Sequence, residues 1–176
     1  YFRLHRYKPK PLNTCVVIDP TGKIVCMYDK IHLFDVHLPT ASFSESDSFL
    51  SGTDPVTVNI KGFNIGLSIC FDLRFPELYR EYYRQGVDII VIPSSFTART
   101  GTLHWDPLLR ARAIENYCYV LAPNQFGIDG NDVETYGHSM IINPQGQVVD
   151  VLEKQEEGIL MAELFFKDRI HFPFIN

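Results

Sequence analysis

The stretch Gly66–Leu78, GLSICFDLRFPEL, decides how this chain is read. Its first half is apolar almost throughout, as a strand covered on both faces would be. Its second half opens a helix. Pro76 suits a first helical turn, Glu77 suits the positive end of the helix dipole, and Gly86 suits the stop. Cys70 stands at the junction. A residue at such a turn is lifted to the C-terminal edge of a sheet, where open α/β sheets place their ligands. The N–H groups that follow it lower a thiol pKa and offer an oxyanion hole. Cys70 is therefore read as a nucleophile. The competing reading is a buried structural cysteine, the common state of a free thiol. That reading is assigned to Cys15, Cys26 and Cys118, which have no such turn.

Working outward, NTCVVIDPTGKIVCMYDKI reads as a hairpin. Its strands run over about 13–19 and 23–31 around the turn Asp19-Pro20-Thr21-Gly22. Residues 35–55, rich in Ser, Asp, Thr and Pro, read as loop or short turns. A second hairpin turns near Lys61-Gly62, and its second strand spans 64–70. VDIIVIPSSF is a buried strand, HWDPLLRARAIENY an amphipathic helix, and YVLAPNQF a strand. GHSMIINPQGQVVDVLEK is a hairpin turning at Asn143-Pro144-Gln145-Gly146, and GILMAELF a last strand. Buried strands flanking two helices predict an α/β sandwich with mixed sheets.

Composition agrees with one globular domain over 1–176. Apolar residues make up 45% and charged residues 21%, and the formal net charge is −5 without a basic block. Nucleic acid is not an expected partner. No apolar run is long enough for a membrane span, and no charged-then-apolar leader opens the sequence. The four cysteines show no CxxC pair and the six histidines no HExxH spacing. No metal and no cofactor are expected, and reduced thiols point to a cytoplasmic location.

A thiol nucleophile needs partners. His104 and His138 are formal candidates, but helix packing and a strand or loop role are the simpler readings for them. Lys30, in YDKIHLFD, ends an apolar strand. It is either an exposed strand-end lysine or a buried one with a partner, and spacing alone leaves the two readings equal. If it lies buried near Cys70, its ammonium would stabilise a thiolate and an oxyanion.

YDKIHLFD, GLSICFDLRFPELYR, IPSSFTARTGTLHWDPLLRARAIENYCYV and YGHSMIINPQG, in this order, resemble the nitrilase (carbon–nitrogen hydrolase) superfamily. The nearest likeness is to its deaminated glutathione amidase and omega-amidase subgroup, over about Asn13–Leu164. The resemblance implies an αββα four-layer sandwich. It also implies hydrolysis of a small carboxylic acid amide through a cysteine thioester, with release of ammonia.

The family's Glu–Lys–Cys arrangement places its lysine on Lys30 and its cysteine on Cys70. Its accessory glutamate falls on Glu45 in FSES, in a loop about one residue shorter than the subgroup's usual form. Phe71 would lend an oxyanion N–H, while Asp72, Arg74 and Glu77 fix the turn. Ser95, Phe96, Thr97 and Arg99 of the SSFTARTG loop, with His104, are the substrate-binding candidates. For Arg99 a solvated loop position is the competing reading. The family's first glutamate, its general base, has no counterpart here, since the first glutamate of the sequence is Glu45. The expectation is thus an N-terminally incomplete member, either an amidase that needs the missing portion or a non-catalytic remnant. The resemblance also implies a homodimer through the helices at about 75–86 and 104–117. Tyr79, Tyr82 and Tyr83 would then be anchors, unless they pack within the monomer.

Overall fold

In chain order the strands are β1 Phe2–Arg3, β2 Leu12–Ile18, β3 Ile24–Asp29, β4 Asp35–Leu38, β5 Ala41–Ser44, β6 Val56–Ile60 and β7 Phe63–Leu67. Helix α1, Pro76–Arg84, leads to β8 Ile89–Val91, and α2, Ala98–Asn116, leads to β9 Tyr119–Ala122. The remaining strands are β10 Phe126–Ile128, β11 Glu134–Tyr136, β12 Met140–Ile142 and β13 Val148–Val151. This computed structural model describes residues 2–3, 10–38, 41–130, 132–153 and 156–165.

Six strands form the main sheet in the order β13-β12-β9-β8-β7-β6. The central β7, β8 and β9 run parallel, joined by α1 and α2. Antiparallel hairpins close both edges. The parallel strands are the apolar runs of the sequence, as crossover connections require. A second sheet, β1-β2-β3, contributes Cys15, Val17, Cys26 and Tyr28 to the cluster that holds Leu67, Ile90, Val120, Ile142 and Trp105. The other face of this hairpin leaves Ile18, Val25 and Met27 exposed. The mixed α/β sandwich expected from the sequence is therefore present: the described residues form these two sheets, two further two-stranded ribbons, β4-β5 and β10-β11, and the α-helices α1 and α2.

Four element readings change. Residues 35–55 are not all loop: β4 and β5 pair, and a 3-10 turn over Glu45–Asp47 follows. The apolar alternation there is too brief to stand out among serines and aspartates. GILMAELF joins no sheet among the described residues. Its side chains still alternate, with Leu160, Ala162 and Leu164 half-buried and Ile159, Met161 and Phe165 exposed. Helix α2 begins at Ala98, six residues before the predicted start. Its Gly101, which reads as a loop residue, lies in the first turns, where a Cβ would sit 2.3 Å from the Tyr136 ring and only glycine fits. Finally, Tyr79 and Tyr82 are fully buried, so they pack within the monomer rather than on an outer face. Tyr82 donates to the carbonyl of Leu67 and covers Gly66. Tyr83 is half-buried beneath the Arg80 guanidinium.

Candidate active site

The strand that leads to Cys70 outlasts its formal end. Past β7, the Ser68 N–H donates to Val91 O at 3.1 Å and the Cys70 N–H to Pro93 O at 3.0 Å. The chain then turns through a 3-10 segment, Cys70–Arg74, with Cys70 itself at φ +47°. A non-glycine residue in the left-handed region is uncommon and carries strain. Asp72 holds the turn in place. It is fully buried, and its carboxylate accepts from Ile69 N–H at 2.8 Å, Tyr28 O–H at 2.7 Å, and His32 N–H and Nδ1 at 2.9 and 2.8 Å. Four donors satisfy a charge that burial would otherwise make costly.

Lys30 resolves to the buried reading, at 3% exposed. Its backbone N–H donates to Asn13 O and its carbonyl accepts from Gly52 N–H, each at 2.8 Å. Its ammonium donates to Glu45 Oε2 at 2.5 Å. Glu45 also accepts from Phe34 N–H at 2.6 Å and Asn13 Nδ2 at 3.1 Å. Lys30, Glu45 and Cys70 all line one cavity of about 1330 Å³.

The thiol differs from its expected state. Burial pushes the Cys70 pKa up, and the Lys30 charge pulls against that without overcoming it. The turn's own N–H groups do not reverse the balance, because this 3-10 segment is one short turn rather than a long helix with a full dipole. Cys70 Sγ lies 3.8 Å from the carbonyl of Ser95. Burial also raises the Cys15, Cys26 and Cys118 thiols.

Of the predicted substrate-binding residues, Ser95 and Thr97 line the cavity. Phe96, Arg99 and His104 do not. Phe96 is buried with its ring 5.1 Å from that of Trp105, and its N–H donates to Asn124 Oδ1 at 2.9 Å. Arg99 is exposed in the first turn of α2. His104 Nδ1 lies 3.2 Å from an Arg74 guanidinium nitrogen, and that guanidinium sits over the Phe96 ring. Phe71 packs its ring edge-on against Phe34. Glu77 is exposed in the first turn of α1. His138 Nδ1 is 2.7 Å from Tyr136 O, and its ring stacks on Tyr136. Neither histidine of the Cys–His reading therefore lines the cavity that holds Cys70.

Sequence reasoning missed Asn13, Tyr28, His32 and Asn124, and it missed that Cys15 lines the cavity. Their roles come from partners far along the chain, and no local signal marks them. Among the described residues, no group of three His, Cys, Asp or Glu side chains is placed to hold a metal. No helix there is long and apolar enough to cross a membrane.

The family model for carbon-nitrogen hydrolases matches residues 2–171. The chain belongs to the carbon-nitrogen hydrolase family. A deaminated glutathione amidase of Synechocystis sp. is 46% identical over 159 residues, covering 88% of this chain and 58% of the relative. An omega-amidase of Saccharomyces cerevisiae is 37% identical over 156 residues, covering 88% of this chain and 53% of that enzyme. This carbon-nitrogen hydrolase chain thus spans little more than half the length of these curated relatives. The crystal structure of the Caenorhabditis elegans NitFhit protein superposes with a TM-score of 0.77 at 42% identity, covering 82% of this chain and 35% of that one. A mutant amidase from Nesterenkonia sp., TM-score 0.70 at 26% identity, shows acrylamide added to its active-site cysteine; the match covers 81% of this chain and 53% of that one.

Proposed function

We propose that this chain carries the nucleophile half of an amidase that hydrolyses a small carboxylic acid amide through a thioester on Cys70. The observation that carries the reading is the buried Lys30–Glu45 pair in the cavity that Cys70 lines. The Cys70 thiolate adds to the amide carbonyl. The Lys30 ammonium and the Phe71 N–H hold the tetrahedral oxyanion. Collapse breaks the C–N bond, and the proton the Cys70 thiol gave up passes to the leaving nitrogen, so that ammonia departs. Water then cleaves the thioester to the acid and restores the thiol. Glu45 holds the Lys30 ammonium at this site through their ion pair. Relatives named as deaminated glutathione amidase and omega-amidase support a substrate with a terminal amide on a short acid.

The test is ammonia release from omega-amides of dicarboxylic acids. It is run on this chain and on one extended at its N-terminus to the relatives' length. Release that disappears in Cys70→Ala is expected. Release by Cys70→Ala at the parent rate would refute the mechanism.

A further inference from the structure

Lys30 and Cys70 lie forty residues apart in sequence, just past the ends of strands β3 and β7 of different sheets, yet the proposed chemistry needs their side chains in fixed register. The bonds to Asn13 O and Gly52 N–H hold Lys30 to its own neighbourhood, and Glu45 holds its head. None of these ties it to the cysteine turn. Asp72 does. Two residues beyond Cys70, its carboxylate takes Oδ2 bonds from Ile69 N–H and Tyr28 O–H, and Oδ1 bonds from His32 N–H and His32 Nδ1. Tyr28 and His32 flank Lys30 on either side in the chain. A carboxylate accepts only, so its contact at 2.8 Å sets the proton of the neutral imidazole on Nδ1. The ring then stacks face to face on Phe75, centroids 3.7 Å apart, at the far end of the same turn.

We propose that His32 is a positioning residue, acting through Asp72 to clamp the Lys30 segment onto the nucleophile turn so that the ammonium stays within reach of the thiol. This rests on the reading of Cys70 as nucleophile and Lys30 as its cationic partner. The charges that bear on the thiol are Lys30, Glu45 and Asp72, with Arg74 also coupled to it. Of these, the one that favours a thiolate most directly is the one the clamp places.

The readout is the rate at which iodoacetamide alkylates Cys70 across a pH series, followed by mass spectrometry of the peptide that contains it. It needs no turnover. His32→Phe keeps a ring on Phe75 but loses the Nδ1 donor, whereas His32→Asn loses the stack but keeps an amide donor near the Nδ1 position. The clamp predicts that His32→Phe raises the thiol's apparent pKa by about one unit, slowing alkylation at neutral pH about tenfold. It predicts that His32→Asn alkylates close to the parent rate. A packing role alone would reverse that order, so an unaffected His32→Phe, or an equally slow His32→Asn, overturns the proposal. Tyr28→Phe removes a second donor to Asp72 and makes the same comparison should His32→Phe not fold. Lys30→Met separates the two readings. If it slows alkylation while His32→Phe does not, the clamp fails and the Lys30–Cys70 reading stands. If neither slows it, both fail.

Discussion

Replacing Gly52 by alanine tests how tightly the Lys30 backbone is held. Gly52 does not adopt a left-handed backbone; what it needs is space. A Cβ built there lies 2.1 Å from the carbonyl oxygen of Asp29, 2.8 Å from its carbonyl carbon and 3.0 Å from its Cβ. Those are mostly backbone atoms at the end of β3, and they cannot swing aside as a side-chain tip would. Asp29 is anchored in turn, since its carboxylate accepts from Thr14 Oγ1 at 2.6 Å. Relief therefore requires the 52 segment and the β3 end to separate by about 1 Å, which strains or breaks the Gly52 N–H bond to Lys30 O. Overpacking of this kind costs about 1–3 kcal/mol, and a lost hydrogen bond adds about 1 kcal/mol. The sum, roughly 2–4 kcal/mol, should lower the melting temperature by roughly 10 °C for a chain of this length. Thermal unfolding followed by circular dichroism measures the shift, and the Cys70 alkylation rate should fall with it as Lys30 moves. A Gly52→Ala protein that melts within a degree of the parent would refute the packing argument.

Other consequences of the same structure are open to measurement. Glu45→Gln leaves a lysine that is 3% exposed without its carboxylate, and removing one partner of a buried pair costs about 3–5 kcal/mol; urea denaturation should show a loss of that order, and no loss would mean the pair is solvated. Burial raises the pKa values of the Cys118 thiol and of the Tyr28, Tyr79 and Tyr82 hydroxyls in the folded state. Above the ordinary thiol pKa of about 8.5, the unfolded chain therefore binds fewer protons than the folded one. Stability is complete below that pH and falls as pH rises beyond it; Cys118→Val should flatten the fall between pH 9 and 10, and an unchanged slope would contradict the assignment. Self-association through α1 and α2 remains a proposal, now without Tyr79 and Tyr82 as anchors; light scattering at micromolar concentration should give at least twice the 20.2 kDa of one chain, and a monomer mass would count against it.

The turn at Cys70 was legible in the sequence because its causes are local. An apolar run, Cys70, then Pro76 and Glu77 describe a strand, a turn and a helix start without reference to the rest of the chain. Lys30 was half legible. Spacing put it at a strand end but did not bury it, because its burial depends on Glu45 and on Gly52 from a separate segment. Asp72 read as a turn-fixing acid, and its carboxylate accepts from Ile69 N–H at the start of that turn. Its reach to His32 across forty residues and to Tyr28 across forty-four has no sequence signature. The length of α2 was missed because Gly101 reads as a loop residue, whereas the fold uses it to admit the Tyr136 ring. GILMAELF shows the limit of alternation as a signal. The period is real in its burial, but a ladder needs a neighbouring strand edge, and sequence alternation does not supply one.

The proposed mechanism turns on a thioester between Cys70 and an amide substrate. Its most direct test is mass spectrometry of the protein after rapid acid quench in the presence of a short omega-amide. The acyl mass is expected on the peptide carrying Cys70, with ammonia released in equal amount, and both are expected to be lost in Cys70→Ala. Ammonia release with no acyl mass on Cys70, or acylation of Cys15, Cys26 or Cys118 in its place, would contradict it.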